Sequence, residues 1–561
     1  MKRLVLALLL STAPVSALAP ARPTLVLTNG VIYDGSGGTP YPGWVAISGD
    51  RISATGRGTP PSTAAQIIDV KGQAIAPGFV NMLSWATESL IADGRAQSDL
   101  RQGVTLEVMG EGNSMGPLNP EMKRLAALRQ DDIKFPISWT TLGQYLAMLE
   151  KKGIAPNVAS FVGATTVRIN ELGEKDIDPT PDQLERMKGL VRTAMNEGAL
   201  GVGSSLIYAP AAYAETPELI ALATESAKCG GMYISHMRSE GDRIEPAVDE
   251  LIAIARKSGG PAEIYHMKMS GRKNWGKMDA VIGKIEAARA SGVRITADMY
   301  NYTAGATGLD AAMPLWVQDG GLEAWIERMK DPAIRARVKA EMMDENATWE
   351  NLAKRAGNPD NVLLLGFKNP KLKPLTGKTL GQVAKMRGTS PEDTAIDLVI
   401  EDGSRVGTAY FLMDEANVKR QIGLPWMSFA SDAGAPSAEG VFLLSNDHPR
   451  AYGNVARLLG KYVRDEHAAT LPDAIRRLTS LPVSNLGIAE RGRLVPGYYA
   501  DVVVFDPATI ADHATYDRPA QYATGVNQVF VNGRQVLKDG EPTGVAAGRF
   551  VKGPGVGKCP A

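Results

Sequence analysis

The sequence predicts an α/β protein: a (β/α)8 TIM barrel carrying a small β domain formed from both chain ends, with a helical insertion before the last barrel strand. Three observations predict it. From residue 77 to 490, apolar runs alternate with amphipathic helical segments. Strand-like segments with turn signals sit near both termini. Two of the chain's five histidines, His236 and His266, close successive apolar runs on either side of a single helix.

The N-terminus reads MKRLVLALLLSTAPVSALA: a basic start, an apolar run over residues 4–10, and Ala17 and Ala19 spaced for a signal peptidase. Residues 1–19 are therefore expected to be an export signal, too short in their apolar part to remain in a bilayer. The mature chain is expected to be periplasmic or secreted, with no membrane span. Cys229 and Cys559 are the only cysteines; one disulfide is open to them, and their spacing forms no metal-binding pattern.

Three strand-like pieces follow between residues 24 and 76, punctuated by Asn-Gly, Gly-Asp and Lys-Gly. Similar material returns in RLVPGYYADVVVFDP and VNQVFVNGRQVLKDG. Residues 20–76 and 491–561 are thus expected to build one small domain, with 77–490 inserted as the barrel.

Candidate barrel strands end near Trp85, Gly110, Gly163, Tyr208, His236, Lys268, Tyr302 and Asp432. Helical segments lie between them, such as PDQLERMKGLVRTAMNEG after Thr180. In the helix after His236, Ile244, Val248, Leu251, Ile252 and Ala255 recur at helical spacing. Strand, helix, strand with a crossover makes the flanking strands parallel, so both imidazoles emerge at the same barrel edge, where such folds do chemistry. The stretch from about 314 to 418 carries its own helices, LEAWIERMK and PAIRARVKAEMM, and is expected to cover the barrel mouth as a lid.

Composition narrows the function. Lys plus Arg equals Asp plus Glu at 61 each in 561 residues, so no net field draws the chain to nucleic acid or a membrane surface. Ser204 and Ser205 lie outside any Gly-x-Ser-x-Gly elbow, and no phosphate-cradling loop appears. A histidine at one strand end is usually a hydrogen-bonded structural residue; a matched pair makes a metal site an equal alternative, because neutral imidazole is the commonest protein metal ligand, and a third element is needed to decide.

The split β domain, PGF at the first barrel strand, HMRSEGDR from His236, YHMKMSG from Tyr265, ADMYNYTAGATGL from Ala297, FASDAG from Phe429 and DHPRAYGN from Asp447 together resemble the amidohydrolase superfamily. Within it the chain is similar to the N-acyl-D-amino-acid deacylases, or D-aminoacylases, over essentially the whole mature length. The resemblance implies that His236 and His266 bind a zinc ion and that Asp432 is the proton-transfer group. A catalytic zinc keeps an open position and brings the pKa of its water to about 7. It further implies that Lys268, Arg450 and Tyr208 hold the carboxylate of a small N-acylated amino acid. Read alone, Asp432 before Ala-Gly is a turn or cap aspartate, and Lys268 and Arg450 are structural ion-pair residues.

The chain also departs from that family. Leu83 and Trp85, in PGFVNMLSW, stand where the family has His-x-His, and the strand-two cysteine ligand is missing from GVTLEVMGEGNSMGP. Two readings stay open. In one, a single zinc is held with Glu111 as third ligand, Glu107 being a weaker candidate inside the strand; carboxylate oxygen is an accepted zinc ligand. In the other, the metal site has decayed and the protein only binds its ligand. Dipeptides, cyclic amides and other acylated amines are alternative substrates. His448 is placed near the pocket, His467 on an exposed helix and His513 in the β domain.

Overall fold

The computed structural model describes residues 23–61 and 64–560. The expected signal peptide lies outside the described residues. The middle of the chain is a closed parallel barrel of eight strands: β1 (Phe79–Asn81), β2 (Val104–Met109), β3 (Asn157–Ser160), β4 (Gly201–Ser205), β5 (Met232–His236), β6 (Ala262–Ile264), β7 (Ile295–Met299) and β8 (Met427–Phe429). Neighbours pair in parallel from β1 to β3 and from β4 through β8. The ring closes where Met82 N donates to Phe429 O (3.3 Å), Trp85 N to Ala433 O (2.8 Å) and Asp432 N to Leu83 O (2.9 Å). The chain segments after β1 and β8 therefore lie side by side at the C-terminal mouth.

The connecting helices follow from local signals. Helix Pro181–Glu197 begins with a Thr180/Gln183 capping box and a proline in its first turn, and ends at Gly198 with φ 118°. Helix Ile244–Ser258 buries Ile244, Val248, Leu251, Ile252 and Ala255, the predicted stripe, against the barrel. That burial fixes the direction of β5 and β6 and hence where both histidines emerge.

The two chain ends build one mixed sheet. Ala74–Pro77, from the N-terminal part, pairs antiparallel with Val502–Phe505, from the C-terminal part, so this seam joins segments more than 400 residues apart. Val502, Val503, Val504 and Phe505 are all buried, which suits a central strand covered on both faces. The last residues leave that sheet and lie along the barrel: Val158 N donates to Arg549 O (3.0 Å) and Val551 N to Val158 O (2.8 Å). A Cys229–Cys559 disulfide, Cα–Cα 4.8 Å, fastens the tail to the barrel wall.

The insertion begins earlier and ends earlier than the 314–418 limits read from the sequence. A three-stranded antiparallel sheet of Ala304–Gly308, Val362–Gly366 and Gly407–Phe411 forms its base. It carries its own buried cluster, including Leu309, Trp325, Val338, Phe367, Ile396 and Tyr410. Val418 instead sits on helix Glu415–Ile422 and packs with the barrel core. The first strand, AGATG, has no β-branched apolar run, so its sequence gave no strand signal. Among the described residues, no helix is long and apolar enough to cross a membrane.

Candidate metal-binding active site

The C-terminal mouth opens into a cavity of about 790 Å³. Trp85, Glu111, Tyr208, His236, Glu240, His266, Lys268, Tyr300, Asp432, His448 and Arg450 all face it, and the insertion supplies one wall through Ala306, Leu365 and Arg405.

At its floor, three donor atoms converge. His236 Nδ1 lies 3.1 Å from His266 Nε2, and Glu111 Oε1 lies 3.2 Å from the first and 2.9 Å from the second. All three residues are buried. Donors bound tetrahedrally to zinc at about 2.0–2.1 Å are separated by roughly 3.3 Å, close to the spacing seen here. Two ring nitrogens and a carboxylate oxygen directed at one point are the donor set of an open zinc site, and these residues fit that ion. Glu111 reaches the cluster because β2 ends at Met109 and Gly110, at φ 105°, turns the chain inward. Glu107 remains inside the strand, hydrogen-bonded by Asn81 at 3.0 Å, away from the histidines.

A second carboxylate that the sequence reading passed over stands behind both imidazoles. Glu240 Oε1 is 3.1 Å from His266 Nδ1, and its Oε2 is 3.7 Å from His236 Nε2. Lys268 Nζ lies 2.5 Å from Glu240 Oε1 and 2.7 Å from His266 Nδ1. His266 Nδ1 thus has two competing partners. If it accepts from the ammonium, Nε2 carries the proton and cannot ligate; if it donates to Glu240, the Nε2 lone pair faces Glu111 and His236, as a metal requires. Glu240 lies four residues after His236 in HMRSEGDR, an acidic residue close to a candidate ligand, and that was the only signal available for it.

The electrostatics favour a cation at this point. Burial and Lys268 push the His266 pKa down, yet Glu111, Asp432 and Glu240 outweigh them and raise it to about 10. Burial raises the Asp432 carboxyl, Arg450 and His266 pull it back, and the balance stays above the usual carboxylate value. Asp432 Oδ2 pairs with Arg450 Nη1 at 2.9 Å, and that guanidinium lies 4.4 Å from the centre of the Tyr300 ring. Both His266 (φ 34°) and Asp432 (φ 49°) occupy the left-handed region, a conformation that costs non-glycine residues energy and is found where side chains must be aimed. The Tyr208 ring packs edge-on to His236 at 5.3 Å.

The expected residues therefore gather in one place: Glu111, His236 and His266 at the floor, with Asp432, Arg450, Lys268 and Tyr208 around them. Lys268 points into the cluster and meets Glu240 and His266, so its contacts are made within the protein. His448 lines the cavity, its Nε2 3.0 Å from Ala304 O. His467 is exposed just beyond a helix end, and His513 bonds Thr524 at 2.9 Å in the β domain.

A closed parallel barrel with the imidazole pair His236 and His266 and the carboxylates of Glu111, Glu240 and Asp432 at its C-terminal mouth, flanked by a β domain from both termini, defines a hydrolase scaffold with a candidate metal centre. A model of the amidohydrolase family matches residues 66–537. A D-aminoacylase of Alcaligenes xylosoxydans xylosoxydans is 32% identical over 536 residues, covering 94% of this chain and 97% of that protein. A D-aminoacylase structure described as having a binuclear metal centre, with one-metal activation and second-metal attenuation, matches at TM-score 0.77 and 31% identity, covering 94% of this chain and 100% of that one. An N-acyl-D-glutamate deacylase of Bordetella bronchiseptica, complexed with zinc and a phosphonate mimic of the tetrahedral intermediate, matches at TM-score 0.75 and 29% identity, covering 95% and 100%. The chain belongs to the amidohydrolase family, and is an enzyme acting on carbon–nitrogen bonds other than peptide bonds.

Proposed function

We propose that this enzyme hydrolyses N-acyl amino acids of the D configuration, releasing a carboxylate and the free amino acid, with one zinc ion. The observation that carries the reading is the convergence of Glu111, His236 and His266 on one point, beside the buried Asp432. Glu111, His236 and His266 would hold the ion; zinc, when bound, supplies Lewis-acid activation of water and of the amide carbonyl.

The remaining work falls to side chains. Asp432 takes a proton from the attacking water and gives it to the leaving nitrogen, a transfer that its raised pKa favours. Arg450 holds Asp432 in place through the 2.9 Å pair, while Arg450 and Tyr208 present a cation and a phenol to the substrate carboxylate. Glu240 fixes the orientation of His266, and Lys268 pairs with Glu240. The relatives' activities on N-acyl-D-amino acids support the stereochemistry. The leader-like N-terminus and the disulfide between Cys229 and Cys559 support export to an oxidising compartment.

Zinc content of the purified protein and hydrolysis of paired N-acetyl D- and L-amino acids test the reading. Bound zinc with turnover of the D series is the expected result. A protein that takes up no zinc and releases no amino acid would reduce the scaffold to a binding protein, and equal rates on both series would remove the stereochemical claim. Recovery of the mature chain from the periplasm or medium, beginning near residue 20, tests export.

A further inference from the structure

Trp85 stands at a position where the resemblance to the amidohydrolases implies a histidine, and its indole N–H lies between two carboxylates. Nε1 is 3.2 Å from Glu111 Oε2 and 3.1 Å from Asp432 Oδ1. Each carboxylate uses its other oxygen elsewhere: Glu111 Oε1 faces the two imidazoles, and Asp432 Oδ2 faces Arg450. The result is a continuous chain of contacts from Arg450 through Asp432, Trp85 and Glu111 to the histidines. One N–H shared by two carboxylates places partial positive charge between them. An indole has no lone pair to offer a metal, since its nitrogen only donates.

The placement is built in. Trp85 N donates to Ala433 O at 2.8 Å and Ser84 forms a bridge with Ala433, so the backbone carrying the indole is tied to the segment carrying Asp432. Leu83, at the other family position, is fully buried among Val80, Ile234, Tyr265 and Ala430. Trp85 is 38% exposed and lines the cavity, an unusual position for a large apolar residue whose only task is core packing.

We infer that Trp85 replaces a second metal ion: it holds Asp432 and Glu111 at a fixed separation and restricts the centre to a single ion. This rests on the one-zinc reading above and extends it to a named positioning residue. The test measures zinc per chain by elemental analysis on the full-length protein equilibrated with excess zinc and desalted, alongside steady-state kinetics. The unmutated protein retains one equivalent, and the double variant Leu83→His/Trp85→His gains a second. Trp85→Phe keeps the ring and removes the donor; it retains one equivalent, while kcat falls by about tenfold and KM stays within about twofold, the pattern of a misplaced proton-transfer group. If the double variant does not fold, as judged by circular dichroism, Trp85→Phe carries the test. Two equivalents in the unmutated protein, or an unchanged kcat in Trp85→Phe, overturns the role of Trp85 and leaves the hydrolase reading standing. No equivalent at all overturns both.

Discussion

Glu111 Oε1 and His266 Nε2 stand 2.9 Å apart, with His236 Nδ1 3.2 Å from the same oxygen, so one carboxylate oxygen faces two ring nitrogens at the barrel floor. Glu107, on β2 itself, does not supply that oxygen, because Asn81 engages it inside the strand. Glu111→Gln keeps the shape and removes the charge. Zinc affinity, measured by competition with a chelator, is expected to fall by at least about tenfold. Unchanged affinity would make Glu111 a structural acceptor for the histidines.

On the proposed reading Asp432 acts in proton transfer, and its loss should leave the ligands in place. For Asp432→Asn, kcat is expected to fall by about 10²–10⁴ with zinc content retained, read from single-turnover rates and metal analysis on the same sample. A large loss of zinc would instead assign Asp432 to the ligand set.

Glu240 stands 3.1 Å from His266 Nδ1, where it can accept that N–H and fix the ring's tautomer, while His236 Nε2 is farther off at 3.7 Å. Glu240→Gln is expected to weaken zinc binding by roughly 10–100-fold, the effect typical of a carboxylate that orients a ligating histidine. Wild-type zinc affinity in Glu240→Gln would refute the orienting role.

An acidic substrate side chain is expected to be disfavoured in the cavity. Beyond Arg450, which the proposed reading assigns to the substrate's own carboxylate, each cation lining it already has a carboxylate: Arg129 with Glu174 (2.7 Å), Lys268 with Glu240 (2.5 Å) and Arg405 with Asp310 (2.8 Å). Asp131 and Asp447 add further negative charge to the lining. N-acetyl-D-leucine is therefore expected to exceed N-acetyl-D-glutamate in kcat/KM by at least about tenfold, or 1.4 kcal/mol. The reverse order would mean that one of these pairs opens to receive the substrate.

Burial lifts the Asp447 carboxyl from its ordinary value to about 6. The folded state then holds a proton that the unfolded chain has lost between about pH 4 and 6, so stability falls as pH rises through that window and the loss is complete above it. Asp447→Asn carries no such cost. Its melting temperature is expected to exceed that of the unmutated protein at pH 7.5 and to match it near pH 4. An equal difference at both values would place the effect in packing.

The chain order of apolar runs and helical stripes was sufficient to read the barrel, because burial on one face imposes a period that survives in a single sequence. The matched positions of His236 and His266 followed from the same periodicity, since parallel strands joined by a crossover end on one side. The split β domain was legible from its turn dipeptides and β-branched runs. The first strand of the insertion was not, because AGATG depends on its partners and has little propensity of its own.

Sequence alone thus determined the scaffold, the pair of imidazoles and the loss of two family histidines and a cysteine. Tertiary structure decided what fills those losses. Glu111 becomes a third donor because Gly110 turns the chain after β2; Trp85 reaches Asp432 because barrel closure sets the ends of β1 and β8 beside each other; and Glu240 backs both imidazoles across a loop. These are contacts between residues up to 347 positions apart. No local period encodes such distances, because they arise only when long-range packing closes the sheet on itself.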